Sequence, residues 1–71
     1  MMNVVRYKEL DVVKAAQEIS SSDITIAEDT QGTVVNVYAD NQTYEVEFVI
    51  DSQSYVETVS YYQIKSADNT K

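Results

Sequence analysis

The stretch Gly32–Asp51, GTVVNVYADNQTYEVEFVID, decides the fold, because apolar and polar residues alternate on both sides of a short polar tip. Alternation with a period of two is typical of β-strands that bury one face. A two-residue turn at Asn41-Gln42 gives three apolar pairs: Ala39–Tyr44, Val37–Val46 and Val35–Phe48. The stretch therefore predicts a β-hairpin whose apolar side is buried, while Glu45 and Glu47 face water.

More β-structure is predicted after the hairpin. Tyr55–Val59 is rich in strand formers and follows a polar break. An odd-length loop before this strand places Val56 and Thr58 on the core side and Glu57 beside the two hairpin glutamates. Ser60–Gln63 is typical of a tight helical turn, and Ile64-Lys65 of a last short strand.

The segment before the hairpin allows two interpretations. Val12, Ala15, Ala16 and Ile19 recur at helical spacing. The same residues also allow a strand over 11–15 followed by an irregular loop, so the residues alone leave residues 11–19 as either helix or strand.

Length predicts one small domain, and a count of four or five short strands with few helical residues predicts that it is all-β. The chain has 71 residues, no cysteine and a single glycine, Gly32, which we expect where the backbone torsion is unusual. A sheet this small leaves exposed edges, and rolling it into a barrel closes them. The prediction is a five-stranded barrel over about 10–65, with an N-terminal segment at 1–9, a flexible tail at 66–71 and little room for a deep substrate cavity.

Charge is distributed unevenly along the chain. The net charge is −7, and the five cations lie near the two ends: Arg6, Lys8, Lys14, Lys65 and Lys71. Nine acids occupy the cation-free middle: Glu18, Asp23, Glu28, Asp29, Asp40, Glu45, Glu47, Asp51 and Glu57. Nucleic-acid binding requires Lys and Arg against phosphates, so we expect no nucleic-acid partner. With no export signal and no apolar run of membrane-spanning length, we expect no membrane association and a cytoplasmic location.

The sequence motifs of this chain resemble those of a small, uncharacterised bacterial family of SH3-like (KOW-type) barrels. Members combine D-V-V, G-T-V-V-x-V-Y, Y-x-V-E-F and a closing Q-[IL]-[KR], which correspond here to Asp11–Val13, Gly32–Tyr38, Tyr44–Phe48 and Gln63–Lys65. The resemblance implies a strand rather than a helix at Asp11–Ala15. Where members carry a second glycine, this chain has Asp29, which tolerates the left-handed region better than most residues. The genes of this family look like neighbours of bacterial toxin-type genes, and this resemblance implies an immunity or antitoxin role for the protein.

Catalysis is not expected. The chain has neither His nor Cys, which removes the usual general base and thiolate nucleophile. No stretch has the pattern of a calcium loop or another metal site, so we expect no cofactor and no metal.

Tyrosines near carboxylates suit a protein interface, because the ring gives contact area and the hydroxyl finds a partner. The candidate protein-binding residues are Tyr38, Glu45, Glu47, Tyr55, Glu57 and Tyr61. The alternatives are a merely solvated acidic face, and tyrosines that pack over the edges of their own sheet. The sequence thus predicts a small acidic module that binds a basic protein, and the resemblance implies the sharper form of an immunity or antitoxin protein masking a nuclease-like toxin. The alternative is a structural accessory subunit or a homo-oligomer.

Overall fold

The computed structural model describes residues 7–67, and these residues form an all-β fold. The strands, in chain order, are β1 Val12–Ala15, β2 Ile19–Ser20, β3 Thr25–Ile26, β4 Gln31–Val37, β5 Thr43–Ile50, β6 Gln53–Ser60 and β7 Ile64–Ser66. A 3₁₀ turn at Tyr61–Gln63 precedes β7. The all-β class and the helical turn before the last strand are confirmed. Most of the predicted N-terminal segment and tail, residues 1–6 and 68–71, lies outside the described residues.

Five strands form one antiparallel sheet in the order β6-β5-β4-β1-β7, and β2 pairs with β3 in a second, two-stranded sheet. Within residues 7–67 no ladder joins β6 to β7, so the predicted closure into a barrel is not found. Both of these strands are edges of the described sheet.

Residues 12–15 form a strand, as the resemblance implied for Asp11–Ala15, and not a helix. In β1 the side chains of Val13 and Ala15 are buried, whereas Val12 is exposed. This strand pairs with β4 on one side and β7 on the other, so both of its edges are hydrogen-bonded. Tertiary pairing therefore decides between two local interpretations that the residues alone left open.

The core is one small cluster of hydrophobic side chains. Its fully or nearly buried side chains are Val13, Ala15, Ile19, Ile26, Val34, Tyr44, Val46, Phe48, Val59 and Ile64. Burial of Tyr44, Val46 and Phe48 confirms which face of β5 lies inside.

The predicted pairing of β4 with β5 is wrong, because the loop between these strands is longer than two residues. The Tyr38 N–H donates to the Thr43 carbonyl at 2.9 Å, and the Asn41 N–H donates to the Tyr38 carbonyl at 2.9 Å. A two-residue hairpin turn of the common type needs positive φ at both central residues, which glutamine adopts poorly. Here Asn41 alone takes positive φ (58°), and the Asp40 carboxylate accepts the N–H groups of the two residues that follow Asn41.

A β-bulge then changes which valine of β4 is buried. The observed pairs are Val37–Tyr44, Asn36–Glu45, Val34–Val46, Thr33–Glu47 and Gly32–Phe48, with the irregularity between Val34 and Asn36. Val35 is the extra residue and is 39% exposed, while Val34 is fully buried. The prediction that Val35 is in the core is therefore wrong, because a bulge reverses the side-chain parity of the strand beyond it.

Gly32 serves a different purpose from the one expected. It does not have a positive φ. A Cβ atom at this position would lie 2.7 Å from Val46 Cγ1 and 2.8 Å from Phe48 Cδ1, so the glycine allows close packing instead. Left-handed torsions fall on other residues, including Asp29 (φ 74°), as predicted where family members carry glycine.

The predicted faces of β6 are also reversed. Asp51 and Ser52 form a two-residue turn, both with positive φ (52° and 69°), closed by the Ile50–Gln53 pair. An even-length turn places Tyr55, Glu57 and Val59 on the inner face, opposite Phe48, Val46 and Tyr44. Val56 and Thr58 therefore share the outer face with Glu45 and Glu47, and Glu57 does not.

Candidate functional site

Three of the six predicted binding residues lie together on the outer face of the β4–β5 hairpin. The Tyr38 hydroxyl donates a hydrogen bond to Glu45 Oε2 at 3.2 Å. Glu47 is two residues further along β5 and therefore points to the same side. Each glutamate has polar or apolar neighbours on the adjacent strands: Asn36 and Thr58 flank Glu45, and Thr33 and Val56 flank Glu47.

Neither glutamate forms an ion pair with a cation of the described chain. The ion pairs found within residues 7–67 are Lys8–Asp11, at 3.4 Å, and Lys65–Asp29, at 2.7 Å. The Lys65 ammonium lowers the pKa of the Asp29 carboxyl, first by its hydrogen bond and then by its charge. Lys8 and Lys65 thus compensate acids near β1 and β7, which lie two and three strands from β5 in the sheet.

Two exposed valines complete this surface. Val49 is 59% exposed and Val56 is 55% exposed, and both lie on the outer face beside Glu47. Their positions flank a carboxylate, so this face combines negative charge with exposed apolar area. We call Tyr38, Glu45, Glu47, Val49 and Val56 the outer acidic face.

Sequence reasoning missed Val56 because it placed this residue in the core. The signal that could have found it is the pair Asp51-Ser52. Asp adopts left-handed torsions more readily than most residues, and a two-residue turn there fixes the parity of β6.

The other three predicted residues lie elsewhere. Tyr55 and Glu57 project from the inner face of β6, at the edge of the sheet, where the Tyr55 hydroxyl donates to Gln53 Oε1 at 2.8 Å. Tyr61 belongs to the 3₁₀ turn and packs against the core, with its ring edge-on to that of Tyr62 at 5.8 Å. The structure therefore does not gather the six residues on one surface.

Two observations on the described residues concern metal binding and small-molecule binding. No group of three acidic side chains is close enough to hold a metal ion within residues 7–67. A surface cavity of about 430 Å³ is larger than the chain length suggested, and it is lined by Tyr7, Asp11, Val12, Ser66 and Ala67. Its single carboxylate, Asp11, is already paired with Lys8.

Comparison with protein-family models, curated proteins and solved structures finds no match. The resemblance to SH3-like barrels therefore stays a prediction. In the described part of the chain, no helix has the length and apolar character needed to cross a membrane.

Proposed function

We propose that this chain is a small acidic protein-binding module whose outer acidic face docks on a basic protein surface. The observation that carries the proposal is the pair Glu45 and Glu47, side by side on one strand face, neither of which forms an ion pair with a cation of the described residues. Uncompensated carboxylates on one face create a potential that attracts a positively charged partner and accelerates encounter.

The neighbouring side chains supply what carboxylates alone lack. Val49 and Val56 offer apolar area, and Tyr38 offers a ring whose hydroxyl already bonds a carboxylate. A Lys or Arg from the partner that reaches Glu45 would also meet this ring, where a cation–π contact adds to the ion pair. The surface therefore favours a protein partner over a small cation.

A finer form of the proposal follows from the sequence resemblance. It describes an open, SH3-like sheet that masks a cationic, nuclease-like toxin, with the carboxylates of the outer acidic face standing where nucleic-acid phosphates would bind. This immunity or antitoxin role makes the product of the neighbouring gene the first partner to test.

The experiment is a binding titration of the chain against that gene product and a panel of purified basic proteins. Removing two exposed ion pairs of about 0.7 kcal/mol each weakens binding roughly tenfold, so we expect this loss for Glu45→Gln/Glu47→Gln. Binding of the wild type should also weaken as salt is raised from about 50 to about 300 mM.

The matched control is Glu18→Gln/Asp23→Asn, which removes the same charge from two exposed acids outside the outer acidic face. We expect it to bind within about twofold of the wild type. Equal losses of affinity in the two double variants would show that the net charge of the chain, and not the outer acidic face, causes the weaker binding. Unchanged binding by Glu45→Gln/Glu47→Gln would show that the outer acidic face is not the binding site.

A further inference from the structure

β6 has a free edge. Among the described residues this eight-residue strand pairs with β5 alone. The Ile50–Gln53 pair closes the Asp51-Ser52 turn, and hydrogen-bonded pairs then alternate along an antiparallel ladder. Ser54, Val56 and Thr58 therefore direct their N–H and C=O groups away from β5. Ser60 has the same parity, and its N–H indeed bonds Gln63 Oε1 at 2.8 Å instead of β5.

This edge lacks most of the usual protection against pairing. Exposed edges are normally blocked by lysine, proline, a bulge, an inward-pointing charged residue or a covering segment. Of these, β6 has only the inward-pointing Glu57; it contains no lysine and no proline, and its register with β5 runs without interruption from Gln53 to Ser60. The opposite edge strand, β7, is only three residues long and carries Lys65. β6 is therefore the edge that is able to accept another strand.

We propose that β6 pairs antiparallel with β6 of a second copy of this chain, centred on Val56. This register places Val56 opposite Val56 of the second copy and Ser54 opposite its Thr58. On each strand, the three residues whose N–H and C=O groups point away from β5 then exchange about six backbone hydrogen bonds in total. Shifting the centre to Tyr55 or Glu57 leaves about four between strand residues, so the Val56-centred register makes the most use of the edge.

The side chains fit the same register. Tyr55 comes to lie opposite Glu57 of the second copy, twice by symmetry, at non-hydrogen-bonded positions where side chains approach closely. The tyrosine hydroxyl, which now donates to an exposed glutamine, can donate to this carboxylate in a stronger, charge-assisted bond. Tyr38 and Glu45 already form such a pair in this chain. A register centred on Glu57 would instead place two carboxylates face to face.

Charge limits the strength of this dimer. Each chain carries −7, so two copies repel each other, and a pairing of two eight-residue edges buries less area than a stable interface needs. We expect association that strengthens with salt, opposite to the salt dependence of binding to a basic partner. The two-fold axis is perpendicular to the sheet, so both outer acidic faces lie on the same side of the dimer.

Sedimentation equilibrium tests the proposal, with the full chain at about 10 μM to 1 mM and at about 50 and 500 mM salt. The average mass should rise toward twice the monomer mass, and more so at high salt. Val56→Lys should weaken association at least about tenfold, because two like charges then meet at the axis. In the monomer this lysine faces Glu47, so the fold is retained.

The control is Val49→Lys, which makes the same charge change on the same outer face, but on β5 rather than on the edge strand. It should dimerise like the wild type. A strict monomer at about 1 mM in high salt overturns the proposal, as does a dimer that Val56→Lys leaves intact. A monomer whose Val56 amide is nevertheless protected from hydrogen exchange would place another part of the same chain on this edge, and would equally overturn it.

Cross-linking tests the register separately. The chain has no native cysteine, so a single introduced thiol reports one position. Val56→Cys should form a disulfide-linked dimer, since residues paired across a ladder lie about 5.5 Å apart at Cα. Ser54→Cys and Thr58→Cys should cross-link only when the two variants are mixed. Rapid self-linking of Ser54→Cys alone would contradict the Val56-centred register.

Discussion

Gly32→Ala tests the close packing between β4 and β5. The added Cβ would lie 2.7 Å from Val46 Cγ1, 2.8 Å from Phe48 Cδ1 and 3.0 Å from the Glu47 carbonyl oxygen. Carbon atoms in contact normally lie about 3.5–4.0 Å apart. Val46 and Phe48 are both fully buried, and the carbonyl belongs to the backbone of β5, so none of the three neighbours is a mobile surface group.

The sign of the effect depends on two opposing contributions. Replacing glycine by alanine restricts the unfolded chain, which stabilises a protein by about 0.4–1 kcal/mol where the native torsion allows it. Gly32 has no positive φ, so this gain applies. Overpacking a full core costs about 1–3 kcal/mol. The net expectation is a loss of about 1–2 kcal/mol, a large part of the roughly 4–10 kcal/mol total of a domain this size.

Thermal and urea unfolding measure this loss. A domain of this length changes Tm by about 4–8 °C per kcal/mol, so Gly32→Ala should lower Tm by roughly 5–15 °C. Adding Val46→Ala removes the nearest methyl group, and the double variant should lose about 1 kcal/mol less than the sum of the single losses. A stabilised Gly32→Ala, or strictly additive losses, would refute the close approach of the two strands.

Three further perturbations test other parts of the structure. Phe48→Ala should cost about 3–5 kcal/mol in unfolding free energy because the ring is fully buried, whereas Val49→Ala, on the exposed neighbour, should change it by less than about 0.5 kcal/mol. Ser52→Gly relieves about 1–2 kcal/mol of left-handed strain at φ 69° but loosens the unfolded chain by about 0.4–1 kcal/mol, so a net gain of about 0.5–1 kcal/mol should raise Tm by about 2–8 °C; an unchanged or lower Tm would contradict the turn. Asp29→Asn keeps the left-handed torsion but loses the Lys65 pair: the folded pKa of Asp29 lies below 3.8, so the carboxylate stabilises the fold above pH 3.8 and loses this effect as the pH falls through the folded pKa. Urea titrations should therefore show a wild-type advantage over Asp29→Asn that shrinks below pH 3.8, and a pH-independent difference would contradict the pairing.

The sequence predicts β5 well because polar and apolar residues alternate over the six residues Thr43–Phe48 and neighbouring strands cover both of its edges. A shift by one residue would bury Glu45 and Glu47, so the buried face of β5 is strongly determined. No pair of charged residues fixes the buried face of β4 in this way. This strand contains two adjacent valines, Val34 and Val35, and either can be buried with its neighbours according to the position of the bulge. The apolar pattern alone cannot choose between them.

Errors in loop length have larger consequences for the candidate site than for the core. Reversing the faces of β6 puts Val56 instead of Glu57 on the outer acidic face, while in the core one valine replaces another, since Val59 is buried and Val56 is not. Composition alone gives no better guide, because the net charge of −7 is the same whichever face Glu57 occupies. The parity of the Asp51-Ser52 turn decides whether Glu57 strengthens the outer acidic face or meets Tyr55 of a second copy across the free edge. The two binding proposals for this chain therefore depend on one two-residue turn.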